Sequence, residues 1–207
     1  MQVAIERERR YSIEEYFRLD EASEEKLEYR DGYIVPLGEI IAMAGGSESH
    51  ALISANFAGE LRNALKGKPC RVYSSDLRVR IKGTPLYVYP DVSVICGPTQ
   101  FDTETPPKSV LNPKVIVEVT SPGTEAYDRT EKFKKYLRLD SVDEYVMVSQ
   151  NAAWVDVYTR QADGNWLFQP VHGPGAVVRL SSLDVALPLS EIYAGVDFPP
   201  EPLPPTV

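Results

Sequence analysis

Asp91, Glu118 and Lys132 are the residues of this sequence whose types and spacing are best suited to chemistry. Asp91 lies in the segment YVYPDVSVIC and Glu118 in VIVEVTSP, both of which read as strands. If those strands are neighbours, both carboxylates can point into one cleft near the strand ends. Two hard oxygen donors on rigid strands, with water completing the shell, suit Mg2+ or Mn2+. Such an ion can polarise a phosphoryl oxygen and lower the pKa of a bound water, as phosphodiester cleavage requires. Each carboxylate also has a plainer role open to it. Asp91 comes after a proline at a strand bend and can stabilise a turn. Glu118 can belong to the water-facing side of a half-exposed strand. The next stretch of chain ties the two together. Ser121-Pro122 stops the second strand, and the helix after it carries Asp128 and Lys132 on one face, with Tyr136 continuing it. Lys132 can reach back over the strand ends to orient a water or to stabilise charge on a phosphate. The alternative for Asp128 and Lys132 is an ordinary surface ion pair.

Positioning these groups requires a sheet and at least two helices, and the chain is long enough to supply them. Its 207 residues fit one domain, with 43% hydrophobic and 25% charged content typical of globular proteins. The boundaries expected are a single domain over 1–197 and a proline-rich tail over 198–207. No apolar run approaches the roughly 18 residues of a membrane span. The charged N-terminus lacks the apolar core of a signal peptide, so a cytoplasmic location is expected. Cys70 and Cys96 can pair on count alone, but in that compartment two free, buried thiols are expected. The net charge of −8 argues against a passive nucleic-acid coat. A nuclease with that charge needs a local basic patch or a metal. Arg78, Arg80 and Lys82, with Lys132, Lys134 and Lys135, are the candidates for such a patch.

Along the chain, Ser12 to Leu19 reads as a helix with Ser12 as N-cap and Glu15 at its third position. A hairpin comes next, Lys26 to Tyr29 and Tyr33 to Leu37 around Asp31-Gly32, then a candidate strand from Glu39 to Met43. Leu52, Ile53, Phe57, Leu61 and Leu65 mark one face of a helix over Ser49 to Leu65. Arg71 to Tyr73, Asp76 to Lys82 and Tyr87 to Cys96 read as strands, the last with a bulge or edge at Pro90. Gly97 to Pro113 reads as a surface loop. Lys114 to Thr120 is the strongest buried-strand signal. A helix is predicted over Thr124 to Leu139, with Ala126, Thr130, Phe133 and Leu137 inward. Strands are predicted at Glu144 to Ser149, Trp154 to Arg160, Trp166 to Gln169 and Val177 to Leu180, with a turn at Asp163-Gly164. The order predicts an α/β (α+β) fold, a mixed sheet flanked by helices with extra strands at both ends.

The stretches PDVSVICG, PKVIVEVTSPGTEAYDRTEKFKKY and EYVMVSQ resemble the Uma family of restriction-endonuclease-like proteins, within the PD-(D/E)XK nuclease superfamily. The resemblance runs from YSIEEYFRLDE to the strands after Trp154. It implies a restriction-endonuclease-like core, DNA as substrate, and metal held by Asp91 and Glu118, with the backbone carbonyl of Val119 as a candidate third ligand. The superfamily's lysine would fall at Thr120, which shares a face with Glu118 but carries no charge. The resemblance implies that the lysine has moved to the next helix, as Lys132, with Lys134 and Lys135 as competitors. It also raises three further residues. Asp76 can bind metal or pair with arginine, Glu28 can line the site from outside the core, and His50 can contact the cleft. The expected activity is a Mg2+-dependent endonuclease. The alternatives are an inactive nuclease-fold binding or assembly module, and a metal-dependent hydrolase of another phosphoester. A homodimer built on the strands after Trp154 is the expected assembly.

Overall fold

A computed structural model describes residues 3–36, 48–103, 108–120, 130 and 132–198. Helix α1 spans Ile13–Ala22 and begins with both halves of the expected capping box, Ser12 Oγ accepting from Glu15 N–H and Glu15 accepting from Ser12 N–H. The hairpin of β1 (Leu27–Arg30) and β2 (Tyr33–Pro36) turns at Asp31 (φ 52°) and Gly32 (φ 97°), the left-handed pair that a two-residue turn demands. The predicted strand from Glu39 to Met43 lies outside the described residues. Helix α2 spans Glu48–Ala64 and buries Ile53, Phe57 and Leu61, the face its periodicity marked.

The strands form three sheets. The largest has six strands in the order β10 (Trp166–His172), β9 (Trp154–Arg160), β8 (Glu144–Ser149), β7 (Val115–Thr120), β6 (Val92–Cys96), β3 (Cys70–Ser74). Its β3–β6–β7 part is antiparallel, and β7–β8 is parallel, joined by a crossover that contains α3 (Phe133–Tyr136). A four-stranded sheet runs β2-β1-β5-β4, with β4 at Val79–Ile81 and β5 at Leu86–Val88. A hairpin, β11 (Val177–Leu180) with β12 (Val185–Pro188), precedes α4 (Leu189–Ile192). The alternation of β7 divides the core. Val115, Val117 and Val119 pack with α2, while Ile116 faces β4, β5 and Tyr136. A third cluster of Tyr16, Tyr29 and Tyr87 glues α1 to the smaller sheet. All six residues of β7 are buried, so it is the central strand that its β-branched run predicted.

Several expectations are corrected. The segment Tyr87 to Cys96 is two strands in different sheets, because the chain turns a corner at Tyr89-Pro90-Asp91. Proline has no N–H for a ladder, so the strand breaks there. The strand predicted over Asp76 to Lys82 shrinks to Val79–Ile81, with Asp76 on the turn before it. Cys70 and Cys96 are not free thiols but a disulfide, since the β3–β6 register sets them opposite each other. Within the predicted crossover helix, Phe133 packs inward as expected against Tyr145, Tyr158 and Trp166, but Thr130 is exposed, and the most deeply buried side chains are Lys132, Tyr136 and Leu139. That face includes a lysine because a buried carboxylate awaits it. Ala126 and Asp128 lie outside the described residues. The strand β12 and the short helix α4 were not anticipated.

Candidate functional site

The corner at Pro90 leaves Asp91 one residue ahead of β6. Val92 faces Val117 across the β6–β7 ladder, so continuing the register by one residue sets Asp91 opposite Glu118. Facing residues on antiparallel strands have Cβ atoms about 4.5–5.5 Å apart. Asp91 Oδ2 accepts a hydrogen bond from the Val119 N–H at 2.7 Å, which fixes its carboxylate against β7. Oδ2 also lies 3.4 Å from His50 Nε2. Among the described residues Oδ1 takes no hydrogen bond.

Glu118 does not face water, as a half-exposed strand would have it. It is 4% exposed, and its Oε1 receives Lys132 Nζ at 2.8 Å and the Tyr136 hydroxyl at 3.0 Å. A buried carboxylate is tolerated only with such partners. Lys132 is itself buried, so it is no surface ion-pair member. Burial first, and then the charge of Glu118, push the Tyr136 phenol well above its ordinary value, so Tyr136 is a permanent donor to that oxygen. Sequence reasoning placed Tyr136 on the helix face with Lys132 but gave it no role. The i, i+4 spacing from Lys132 was the available signal.

His50 opens α2 beside this pair. Burial disfavours its charged form, but the hydrogen bond and charge of Asp91, helped by the Val119 carbonyl, win and raise its pKa. The imidazole thus sits between two oxygen donors that both prefer a cation. Linkage fixes the sign. The His50–Asp91 contact adds stability that is fully present below the unfolded-state histidine pKa and is lost as pH rises through the raised folded value. In Asp91→Asn, burial is left without its main opponent, so His50 should titrate below the usual histidine value. Imidazole NMR reads this directly, as the chain has only His50 and His172. An unchanged His50 titration in the variant would refute the contact.

Glu28 reaches the same neighbourhood from β1. Its Oε1 accepts the N–H of Tyr89, two residues before Asp91, and its Oε2 takes Arg30 Nε at 2.8 Å and Nη2 at 2.5 Å. Its charge is also felt at the Tyr136 phenol. Arg30 was not singled out from the sequence, although it stands two residues from Glu28 on one strand face. Thr120 is buried, with Oγ1 3.5 Å from the Val148 carbonyl. Asp76 is a correction. It is exposed and pairs with Lys26 rather than with an arginine or the cleft, because it sits on a turn. The expected basic patch is a second correction. Arg78 is buried against Asp20 at 2.6 Å and Ser109 at 2.9 Å, Arg80 pairs with Asp102 at 2.5 Å, and Lys135 pairs with Asp31 at 2.7 Å.

Among the described residues no three His, Cys, Asp or Glu side chains cluster as a metal site. A cation here would therefore rest on two carboxylates, the Val119 carbonyl and water. That set fits Mg2+, which keeps several waters and is commonly held by one or two carboxylates.

Comparison with known proteins is decisive on family. Residues 13–190 match the Uma2 family, described as "Putative restriction endonuclease". The chain belongs to the Uma2 family. Two relatives from Synechocystis sp. agree in length. The uncharacterized protein slr1290 is 37% identical over 192 residues, covering 90% of this chain and 93% of its own. The uncharacterized protein sll1609 is 29% identical, covering 83% of this chain and 93% of its own. The fold is that of the crystal structure of "a putative nuclease belonging to DUF820" from Anabaena variabilis. That match has a TM-score of 0.66 at 17% identity and covers 89% of this chain and 98% of the other. The α+β architecture read from the sequence is thus that of a Uma2 nuclease-fold protein.

Proposed function

We propose that this Uma2 protein is an endonuclease that hydrolyses DNA phosphodiester bonds with an activated water, at a Mg2+ or Mn2+ site held by Asp91 and Glu118. The observation that supports it best is the meeting of three elements. The β6–β7 register brings Asp91 level with buried Glu118, and Lys132 from the crossover reaches the same glutamate at 2.8 Å. When bound, the ion supplies Lewis acidity and a water of lowered pKa. The chain's own residues do the positioning. Val119 N–H and His50 orient Asp91, and Tyr136 and Lys132 orient Glu118. The Lys132 ammonium is also the charge nearest to take up the negative charge that develops on phosphate. Family membership supports a nucleic-acid substrate.

A second reading is an inactive nuclease-fold module. One observation favours it: Lys132 and Glu118 already neutralise each other inside the protein. Incubation with supercoiled plasmid and Mg2+ or Mn2+ separates the two. The endonuclease reading expects nicked and linear products from the wild type and none from Asp91→Ala or Glu118→Ala. An inert wild type, or cleavage undiminished in both variants, would sink it.

A further inference from the structure

The net charge of −8 leaves open which groups hold a phosphate backbone, because the arginines and lysines expected to do so are largely engaged in ion pairs. Arg62 and Arg71 differ. Both are exposed, and among the described residues neither side chain makes an ion pair or a hydrogen bond. Arg62 stands in the last turn of α2, and Arg71 on β3, the edge strand of the large sheet. They meet at a hollow of about 360 Å³ that is also lined by Leu65, Cys70, Val72 and Tyr73. The Cys70–Cys96 disulfide ties this end of β3 to β6, so the backbone carrying Arg71 is braced. Two arginines without carboxylate partners that line one hollow, with Tyr73 beside them, can offer donors to a phosphate. Arginine presents paired donors in the fork geometry that phosphate oxygens accept.

We propose that this hollow seats a backbone phosphate of the DNA bound at the Asp91–Glu118 site, an inference that rests on the nuclease reading above. One helix links the two places. His50, at Asp91, and Arg62 are both on α2, about 18 Å apart along its axis at 1.5 Å per residue. For a duplex lying along α2, at ~3.4 Å of axis per nucleotide, the seated phosphate would fall roughly five nucleotides from the scissile bond. The hollow therefore anchors flanking DNA and contributes affinity without sequence readout.

The test is metal-free binding of a fluorescent DNA duplex, followed by anisotropy across a salt series in EDTA, so that no cleavage is needed. Each phosphate contact contributes about 0.9 to the slope of log K against log salt. Arg62→Gln/Arg71→Gln should weaken binding and flatten the slope by about 0.9, the contribution of the one seated phosphate. Arg138→Gln/Arg179→Gln removes the same charge from exposed positions outside the hollow and should leave the slope unchanged. An unaltered slope in the first variant, an equal loss in the control, or no DNA binding by the wild type would each overturn the proposal. A parallel titration with inorganic phosphate separates the ligand sources. Saturable phosphate binding that needs both arginines, with an unchanged DNA slope, would make this a small-anion site and refute the DNA assignment. Intact binding with no cleavage under Mg2+ would instead fault the nuclease reading and leave the phosphate seat standing.

Discussion

Replacing Lys132 with methionine should destabilise the fold by about 3–5 kcal/mol, the usual cost of stranding one member of a buried ion pair. Glu118 and Lys132 are both nearly fully buried and 2.8 Å apart, so neither can turn to water when the other is lost. Tyr136 remains to donate one hydrogen bond to Glu118 but cannot neutralise its charge. The double variant Lys132→Met/Glu118→Gln removes both charges, keeps an acceptor for Tyr136, and should recover most of the loss. Urea unfolding of the two single variants and the double measures this coupling. Single-variant losses below about 1 kcal/mol would mean that the pair behaves like a solvent-screened surface bridge, and the buried site would be wrong.

Asp91→Asn should lower DNA cleavage by roughly 10³-fold or more while leaving the fold intact. Its amide oxygen can still accept the Val119 N–H, so the turn into β6 keeps its anchor. What disappears is the negative charge that would hold a divalent cation. Such an ion is worth several kcal/mol to a phosphoryl transition state, and each 1.36 kcal/mol is about a factor of ten in rate. The structural alternative, in which Asp91 only stabilises a turn, predicts the reverse: activity near the wild type and a lower melting temperature. Comparing initial nicking rates with Tm for the same protein distinguishes them. A variant that cleaves within about tenfold of the wild type would leave Asp91 with a structural role only.

The local features of this fold were legible because their causes are local. The capping box at Ser12 and Glu15, the Asp31-Gly32 turn and the apolar face from Ile53 to Leu61 depend on neighbours within four residues. Features that depend on which strands meet were not. Pro90 signalled a disturbance, but only the assembled sheets show that β5 and β6 part company there. The cysteines were misjudged for the same reason, since the β3–β6 register decides their meeting and spacing alone does not. The inner face of the crossover helix was read only in part, at Phe133, because periodicity treats lysine as a surface residue, whereas Lys132 turns inward to Glu118.

The candidate site was more legible than the surface around it. Asp91, Glu118, Lys132, His50 and Glu28 come from five separate segments, and the fold gathers them near one end of β7. The need for partners at Glu118 could be read from its type, since a carboxylate within a valine run demands them. Asp76 looked equally suitable by type, but its turn carries it out to Lys26. The basic strip of Arg78 and Arg80 failed as a patch because both pair with carboxylates elsewhere in the fold, half-buried Asp20 and buried Asp102.

Whether Asp91 and Glu118 together hold a divalent cation is read most directly by calorimetric titration of Mn2+ into the wild type and into Asp91→Asn and Glu118→Gln. One saturable site is expected in the wild type, lost in both variants while each keeps its fold by circular dichroism. Binding by both variants that matches the wild type would contradict the metal site.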